Sequence, residues 1–290
     1  MTTSPQTAAT ASASRGGALV TGAGSGLGRE IARQLAALGY AVHASDVDGD
    51  AAARTAQQLG APAWSSALDV ADAEACRVAA QATAQRAGTL AVWVNNAGIL
   101  RTGPAWEVDA AAREQMFAVN TTGTVNGTFA ALELMRAAAR GSIVNVVSLA
   151  GLVPAPGEAL YAASKHAALA FSVGVALDLR RAGVRGVHVS ALCPDGIWTP
   201  MLHGKVDDPF AAMSWQGVLL QPEEVARAAV ELVDRPRPVR SIPRRRGGAV
   251  RLAAAFPRVT RAALPVVTWG ALRKQARFRR SLRDGDGSGG

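Results

Sequence analysis

The sequence predicts an α/β fold: a doubly wound parallel sheet in a single domain, followed by a basic C-terminal extension. Three observations carry this expectation. Short apolar runs alternate with helical patterns along the body of the chain, residues 15–234; that alternation stacks helices on both faces of a parallel sheet. The runs are near-continuously apolar, as strands buried on both faces are, where a half-exposed strand would alternate. Glycines, acids and amides collect just after the runs, at the carboxyl ends of the strands, where such sheets bind their ligands.

The elements follow in order. GGALVT (16–21) is a short buried strand, leading through a glycine turn into the helix GREIARQLAALG. YAVHASD (40–46) is a second strand ending in an acid, with DAAARTAQQLG as its helix. APAWSSALDV (61–70) is the third, followed by the helix DAEACRVAAQATAQRAG. TLAVWVNNAG (89–98) is the fourth, and two helical stretches occupy roughly 107–140. GSIVNVVS (141–148) is the fifth, and a proline-containing loop leads from it to the helix ALYAASKHAALAF. VRGVHVSALCP (184–194) is the sixth, and PVRSIP (238–243) is a candidate seventh. No internal repeat of fixed period is present.

With 290 residues, 49% hydrophobic and 18% charged, the chain suits one domain with a substantial core. No uninterrupted apolar segment reaches the ~18–20 residues of a membrane span. Residues 1–14, MTTSPQTAATASAS, lack the basic start and apolar middle of a secretory signal and read as a disordered leader. Cys76 and Cys193 lie far apart in apolar or helical patterns, which predicts buried, reduced thiols in a cytoplasmic chain. His43 and His188 fall inside strands and read as core residues; His203 is a secondary candidate for substrate contact. His166 points about 100° away from Lys165 around their helix. No two histidines have metal spacing, so no metal is expected.

The net charge of +9 averages two unlike parts. From Arg235 onward fifteen Lys and Arg face two acids, which leaves sixteen against twenty in residues 1–234.

After the first strand stands TGAGSGLG, with Gly22, Gly26 and Gly28 ahead of a helix. So tight a turn needs positive φ, and a phosphate approaches only bare backbone, facing the positive end of the helix. The G-x-x-x-G-x-G spacing differs from the commoner G-x-G-x-x-G fingerprint. Asp46 ends the second strand about twenty residues further on, where a carboxylate accepts from both ribose hydroxyls of an adenosine. It would also repel a 2′-phosphate, and neither Ser25 nor Val47 supplies a cation to hold one, so NAD is favoured over NADP. The plainer alternative is that Asp46 merely opens a turn with Asp48 and Asp50. Tyr161 and Lys165 stand four apart, one turn from each other on one face of an alanine-rich helix.

On these residues the body, roughly 15–234, resembles the short-chain dehydrogenase/reductase family. Its T-G-x-x-x-G-x-G turn stands as Thr21 to Gly28, with Ser25 and Leu27 inside it. Its adenine-contacting acid stands as Asp69, followed by Val70, and its N-N-A-G as Asn95, Asn96, Ala97 and Gly98. The helix asparagine resembles Asn120, the serine Ser148, and the Y-x-x-x-K pair Tyr161 and Lys165. After strand six, Pro194 and Thr199 match and Ile197 lies between them, but Asp195 stands where the family carries glycine, with Gly196 behind it.

The resemblance implies a Rossmann-like fold, a homo-oligomer (dimer or tetramer), and hydride transfer between a nicotinamide cofactor and an alcohol or ketone. It implies Tyr161 as general acid/base and Lys165 as its electrostatic partner and holder of the nicotinamide ribose. Ser148 would bind the substrate oxygen, and Asn120 a water linking Lys165 to solvent. A free tyrosine titrates near 10, and lowering that by ~3 units needs ~4 kcal/mol of differential interaction; the Lys165 ammonium and the nicotinamide charge are expected to supply it.

Residues 197–220 carry Trp198, Met201, Leu202, Phe210, Met213, Trp215 and Leu219 between prolines and glycines. The segment reads either as a lid over a hydrophobic alcohol or ketone or as cover for the core or a subunit contact, and the sequence divides evenly between them. The extension, 247–290, interleaves arginines with apolar residues, but a helical projection of Trp269 to Arg283 does not separate the classes. No nucleic-acid partner is expected; peripheral membrane or partner docking ranks behind a merely soluble extension. The competing class is a non-catalytic protein of the same fold acting through this tail, and Ser148, Tyr161, Lys165 and Asn120 together speak against it.

Overall fold

The computed structural model describes residues 15–286, with side chains to Arg283; the expected leader lies outside the described residues. Seven strands form one parallel sheet in the order β3-β2-β1-β4-β5-β6-β7. They are β1 Gly17–Thr21, β2 Ala41–Asp46, β3 Trp64–Ala67, β4 Leu90–Asn95, β5 Gly141–Val146, β6 Val187–Pro194 and β7 Val239–Ile242.

Successive residues of each strand feed opposite cores, as a period of two dictates. Ala18 and Val20 of β1, Val92 and Val94 of β4 and Val144 and Val146 of β5 pack beneath α1 (Gly26–Ala37), α2 (Gly49–Leu59) and α8 (Pro222–Asp234). Leu19, Trp93 and Ile143, from the same strands, face α3 (Ala73–Ala87), α5 (Gly123–Ala137) and α6 (Ala159–Arg181). Each of these large side chains is fully buried, worth ~1.5–3 kcal/mol apiece. Helix α8 adds to the predicted elements; Pro222 at its first position and Glu223 and Glu224 in its first turn start it well.

Some boundaries differ from the sequence pattern for physical reasons. β3 is an edge strand paired only with β2, from His43 opposite Trp64 to Asp46 opposite Ala67, so its ladder stops where β2 stops. β4 ends at Asn95, which frees Asn96 to Gly98 to leave the sheet. The two expected helical stretches join: α4 (Ala110–Phe117) runs through a π-type turn at 118–122 into α5. His188, expected in the core, is exposed, because β7 pairs only with β6 from Ala191 onward. α6 is long and apolar enough to cross a bilayer by length and composition, yet Ala162, Ser164, Lys165, Ala168, Ser172 and Leu179 are buried in the protein.

The segment expected as a loop at 197–220 is partly helical, with α7 (Pro200–His203) and a 3-10 segment Pro209–Trp215. Its neck is closed by a bridge between Ile197 and Leu220. α9 (Arg244–Ala255) and α10 (Pro257–Asp286) follow β7, so the expected start of the extension at 247 falls inside a helix. α10 packs back on the 3-10 segment.

Candidate active site

β1 has β2 on one side and β4 on the other, so the chain order reverses there and a crevice opens at the strand ends. The glycine turn fills one lip. Gly22 and Gly26 adopt φ of 64° and 49°, left-handed values that glycine accepts without strain. A Cβ on Gly28 would lie 2.1 Å from the Gly22 carbonyl oxygen, so only glycine lets α1 start this close. Asn96 braces the turn from β4: its Nδ2 donates to the carbonyls of Thr21 (2.9 Å) and Gly22 (3.2 Å). Thr21 Oγ1 accepts in return from the N–H groups of Asn96 and Ala97, at 3.0 Å each.

Asp46 is clamped where β2 ends. One carboxylate oxygen accepts from Gly24 N (2.9 Å) and the other from Asp48 N (3.1 Å), while Asp48 itself caps α2. It therefore both opens a turn and faces the crevice. Two partners were not legible in the motif. A Cβ on Gly24 would sit 2.8 Å from Asp46 Oδ2, so this fourth glycine permits the clamp. Arg29 donates from its guanidinium to the Gly24 carbonyl, placing a cation at the turn that the count of Ser25 and Val47 overlooks.

A cavity of about 610 Å³ runs from this turn to the segment after β6. Each expected site residue borders it except Asn120: the glycine turn, Asp46, Asp69 and Val70, Asn96 to Gly98, Ser148, Tyr161 and Lys165, and Pro194, Ile197 and Thr199. Asp69 is held by its own loop, accepting from Ala71 N at 2.9 Å. At the turn the wall is bare backbone, since a Cβ on Gly22 would meet Ala97 Cα at 2.9 Å. A dinucleotide's phosphates fit such a wall.

At the other end the polar residues gather. Lys165 Nζ lies 5.9 Å from the centre of the Tyr161 ring and donates to Val146 O (3.1 Å). Ser148 ends the turn after β5, its Oγ accepting from Ala150 N at 3.1 Å. Asn120 sits wholly buried on the π-type turn. Its amide accepts from Ile99 N (2.8 Å) and donates to Ile99 O (2.9 Å) and Ser164 Oγ (3.0 Å). A Cβ on Gly98 would lie 3.2 Å from Asn120 Oδ1 and 3.4 Å from Lys165 Nζ, so both polar ends flank that glycine. A satisfied network of Asn95, Asn145, Thr128 and Ser172 holds β4, β5, α5 and α6 together behind them.

The electrostatics depart from the sequence expectation of a lowered phenol. Burial pushes Tyr161 above its usual value, Glu158 pushes the same way, and a hydrogen bond with Ser148 opposes them. Burial also brings Lys165 down to about 8. Desolvation is the largest cause for both groups.

Asp195 has an explanation outside the body. Its side chain is 7% exposed and accepts from Arg246 Nε of α9 at 3.0 Å, while Arg246 also donates to Gln216 of the segment 197–220. Gly217 makes room for it, since a Cβ there would fall 1.8 Å from Asp195 Oδ2. Glu158, at the cap of α6, is a further cavity residue that no motif flags. It is 3% exposed, accepts from Ser214 Oγ (2.7 Å), and is raised to about 7 by burial, with Asp208 and Asp195 adding.

The apolar residues of 197–220 fall in two surroundings. Met201, Leu202 and Met213 border the cavity, while Trp215 packs with Leu100 and Leu202 in a small core. Trp198 packs in a tilted contact with His203 and edge-on against Phe278 of α10, and His203 does not border the cavity. His43 is a core residue, its ring nitrogens 2.8 Å from Thr83 Oγ1 and Ser66 Oγ, and burial lowers it to about 4. Cys76 and Cys193 are buried thiols. No group of three metal-ligating side chains occurs among the described residues.

Residues 17–209 match the family model described as short chain dehydrogenase. The chain belongs to the short-chain dehydrogenase/reductase family. The 1-deoxy-11-beta-hydroxypentalenate dehydrogenase of Streptomyces exfoliatus is 37% identical over 193 residues, 64% of this chain and 69% of that one. The cyclopentanol dehydrogenase of a Comamonas species is 35% identical over 223 residues, 74% of this chain and 88% of that one. A short-chain dehydrogenase/reductase from Burkholderia phymatum, solved in complex with NAD, superposes with a TM-score of 0.77 at 29% identity, covering 86% of this chain and 96% of that one. This short-chain dehydrogenase/reductase is thus an NAD(P)-dependent oxidoreductase acting on the CH–OH group of small alcohols or the corresponding ketones.

Proposed function

We propose that the enzyme interconverts a hydrophobic secondary alcohol and its ketone with NAD(H), using Tyr161 as general acid/base. The observation that carries this reading is that Ser148, Tyr161 and Lys165 border one cavity whose lining also includes Leu100, Leu149, Val153, Met201, Met213 and Val250. An apolar wall with a few convergent polar groups selects an apolar substrate and orients its one polar atom. The relatives named for cyclopentanol and 1-deoxy-11-beta-hydroxypentalenate agree with it, while a D-threitol dehydrogenase of Mycolicibacterium smegmatis, 35% identical, bears a name for a polar alcohol.

In this reading the glycine turn, Asp69, Val70 and the Asn96–Gly98 segment hold the dinucleotide, with Ile197 and Thr199 at its nicotinamide end. Asp46 takes the adenosine ribose, and its clamped carboxylate favours NAD over NADP by repelling a 2′-phosphate. When bound there, the cofactor would supply or accept the hydride and, in its oxidised form, would bring a positive charge to the site. Tyr161 moves the proton at the substrate oxygen, Ser148 donates a hydrogen bond to that oxygen, and Lys165 holds the nicotinamide ribose and its own charge near the phenol. Asn120 holds a water that connects Lys165 to solvent. A cytoplasmic setting and a homo-oligomer belong to the same proposal.

The test is a screen of alcohols and ketones of graded size, read by NADH absorbance with NAD and NADP in parallel. Turnover should rise with apolar bulk and be greater with NAD; best turnover on small polyols would overturn the substrate reading. Tyr161→Phe should cut kcat by ~10²–10⁴-fold while nicotinamide binding survives, and full turnover in that variant would sink the mechanism but leave the fold untouched.

A further inference from the structure

The catalytic reading draws on α9 only through Val250 and on α10 not at all. From Arg244 to Arg283 the chain holds twelve Lys and Arg and neither Asp nor Glu. Among the described residues only Arg246 and Arg279 of these pair with carboxylates, those of Asp195 and Asp207. The other cations keep their charge toward solvent or polar atoms, as Lys274 does in donating to Gln216 O at 2.5 Å.

The sides of α10 are unlike. Its inner side is set by Ala271 and Gln275, both buried, and by Phe278 against Trp198. Gln275 Nε2 donates to the carbonyls of Lys205 (3.0 Å) and Asp208 (2.8 Å), fastening the helix to the segment 197–220. The outer side carries Val259 (66% exposed), Val266 (71%) and Trp269 (55%), then Arg273, Arg277 and Arg280. The Arg273 guanidinium stacks 3.8 Å from the centre of the Trp269 ring, and Leu252 of α9 and Phe256, at its C-terminal cap, add to the exposed apolar surface. Exposed apolar residues scattered singly need no explanation; here five large ones share two adjoining helices with unpaired arginines.

We infer that this extension docks the enzyme on an anionic lipid bilayer. Arginines would meet the headgroups while Val259, Val266 and Trp269 enter the boundary beneath them, the arrangement of an interfacial amphipathic helix. Charge sets the orientation, since residues 1–234, with sixteen Lys and Arg against twenty acids, are repelled by the same surface. A duplex nucleic acid would attract the arginines equally but offers no apolar layer to the valines and the tryptophan. The docked face is also coupled to the cavity: α9 contributes Arg246 and Val250 to its wall, and α10 holds the segment 197–220. Docking therefore sets that segment beside the phase in which an apolar alcohol concentrates.

Cosedimentation of the full chain with vesicles tests this, using phosphatidylcholine alone and phosphatidylcholine with one-third phosphatidylglycerol. Binding should be at least ~tenfold stronger to the anionic vesicles and fall when salt is raised to ~0.5 M. The double variant Val266→Ser, Trp269→Ser leaves every charge in place and should lose most of that binding while keeping turnover on a soluble alcohol. Three results would overturn the inference: equal partition onto both vesicles, unchanged vesicle binding by the double variant, or duplex DNA stripping the enzyme from vesicles at matched charge. Self-association that the double variant abolishes, without vesicle binding, would overturn it as well.

Discussion

At the scale of the residue, Glu158 is where burial changes chemistry most usefully. It lies one turn ahead of Tyr161 on the cavity wall, bonded to Ser214, with the acids Asp208 and Asp195 on the facing segments. An ordinary glutamate titrates near 4.5, and burial holds this one protonated to about 7. A carboxyl whose folded value is raised contributes stability that is complete below its unfolded value and lost as pH rises through the folded one. The native enzyme should therefore lose up to about 3 kcal/mol from this group as pH climbs from about 4.5 to about 7. Glu158→Gln, neutral and of the same shape, should show a flatter dependence of melting temperature over that window; parallel profiles would refute it. No motif marks Glu158, because its importance comes from what folds over it. Tyr161 and Lys165 were legible because their spacing along a helix already joins them.

Between elements, the unexpected aspartate after β6 resolves into a clasp. Asp195, Arg246 and Gln216 tie the end of β6, α9 and the segment 197–220 at one point of the cavity wall. Arg246→Met would leave a nearly buried carboxylate unpaired and should cost about 2–3 kcal/mol, short of the fully buried case because Arg246 keeps 27% exposure. Adding Asp195→Gly should recover most of that loss, since both charges are then gone. Thermal or urea melts of the two single variants and the double would measure it, and simple additivity would mean that the clasp carries no energy. The sequence showed Asp195 as a departure; its partner lies 51 positions away, on a helix whose docking no local pattern encodes.

For the whole molecule, the extension is fastened to the segment 197–220 and contributes Arg246 and Val250 to the cavity wall. Removing α10 by ending the chain at Phe256 would uncover the inner contacts of Gln275 with Lys205 and Asp208 and of Phe278 with Trp198. Such a chain should still bind NADH, because the glycine turn and Asp46 are held by β1, β2 and Asn96. Its kcat/KM for an apolar alcohol should fall at least ~tenfold, about 1.4 kcal/mol of transition-state stabilisation. Unchanged kcat/KM would show that the segment 197–220 holds its shape unaided.

The sequence by itself determined the alternating architecture, the burial of the central strands, and which residues stand at the strands' carboxyl ends. Periodicity and turn chemistry are local properties, and the glycine turn, Asp46, Ser148, Tyr161 and Lys165 are all legible at that range. Only the tertiary structure decided what depends on distant surfaces meeting. It paired Asp195 with Arg246, brought Arg29 to the Gly24 carbonyl, buried Glu158, and left His188 exposed beside a short seventh strand. It also separated α10 into an inner and an outer side, because the face a helix buries is chosen by its neighbour as much as by its own composition.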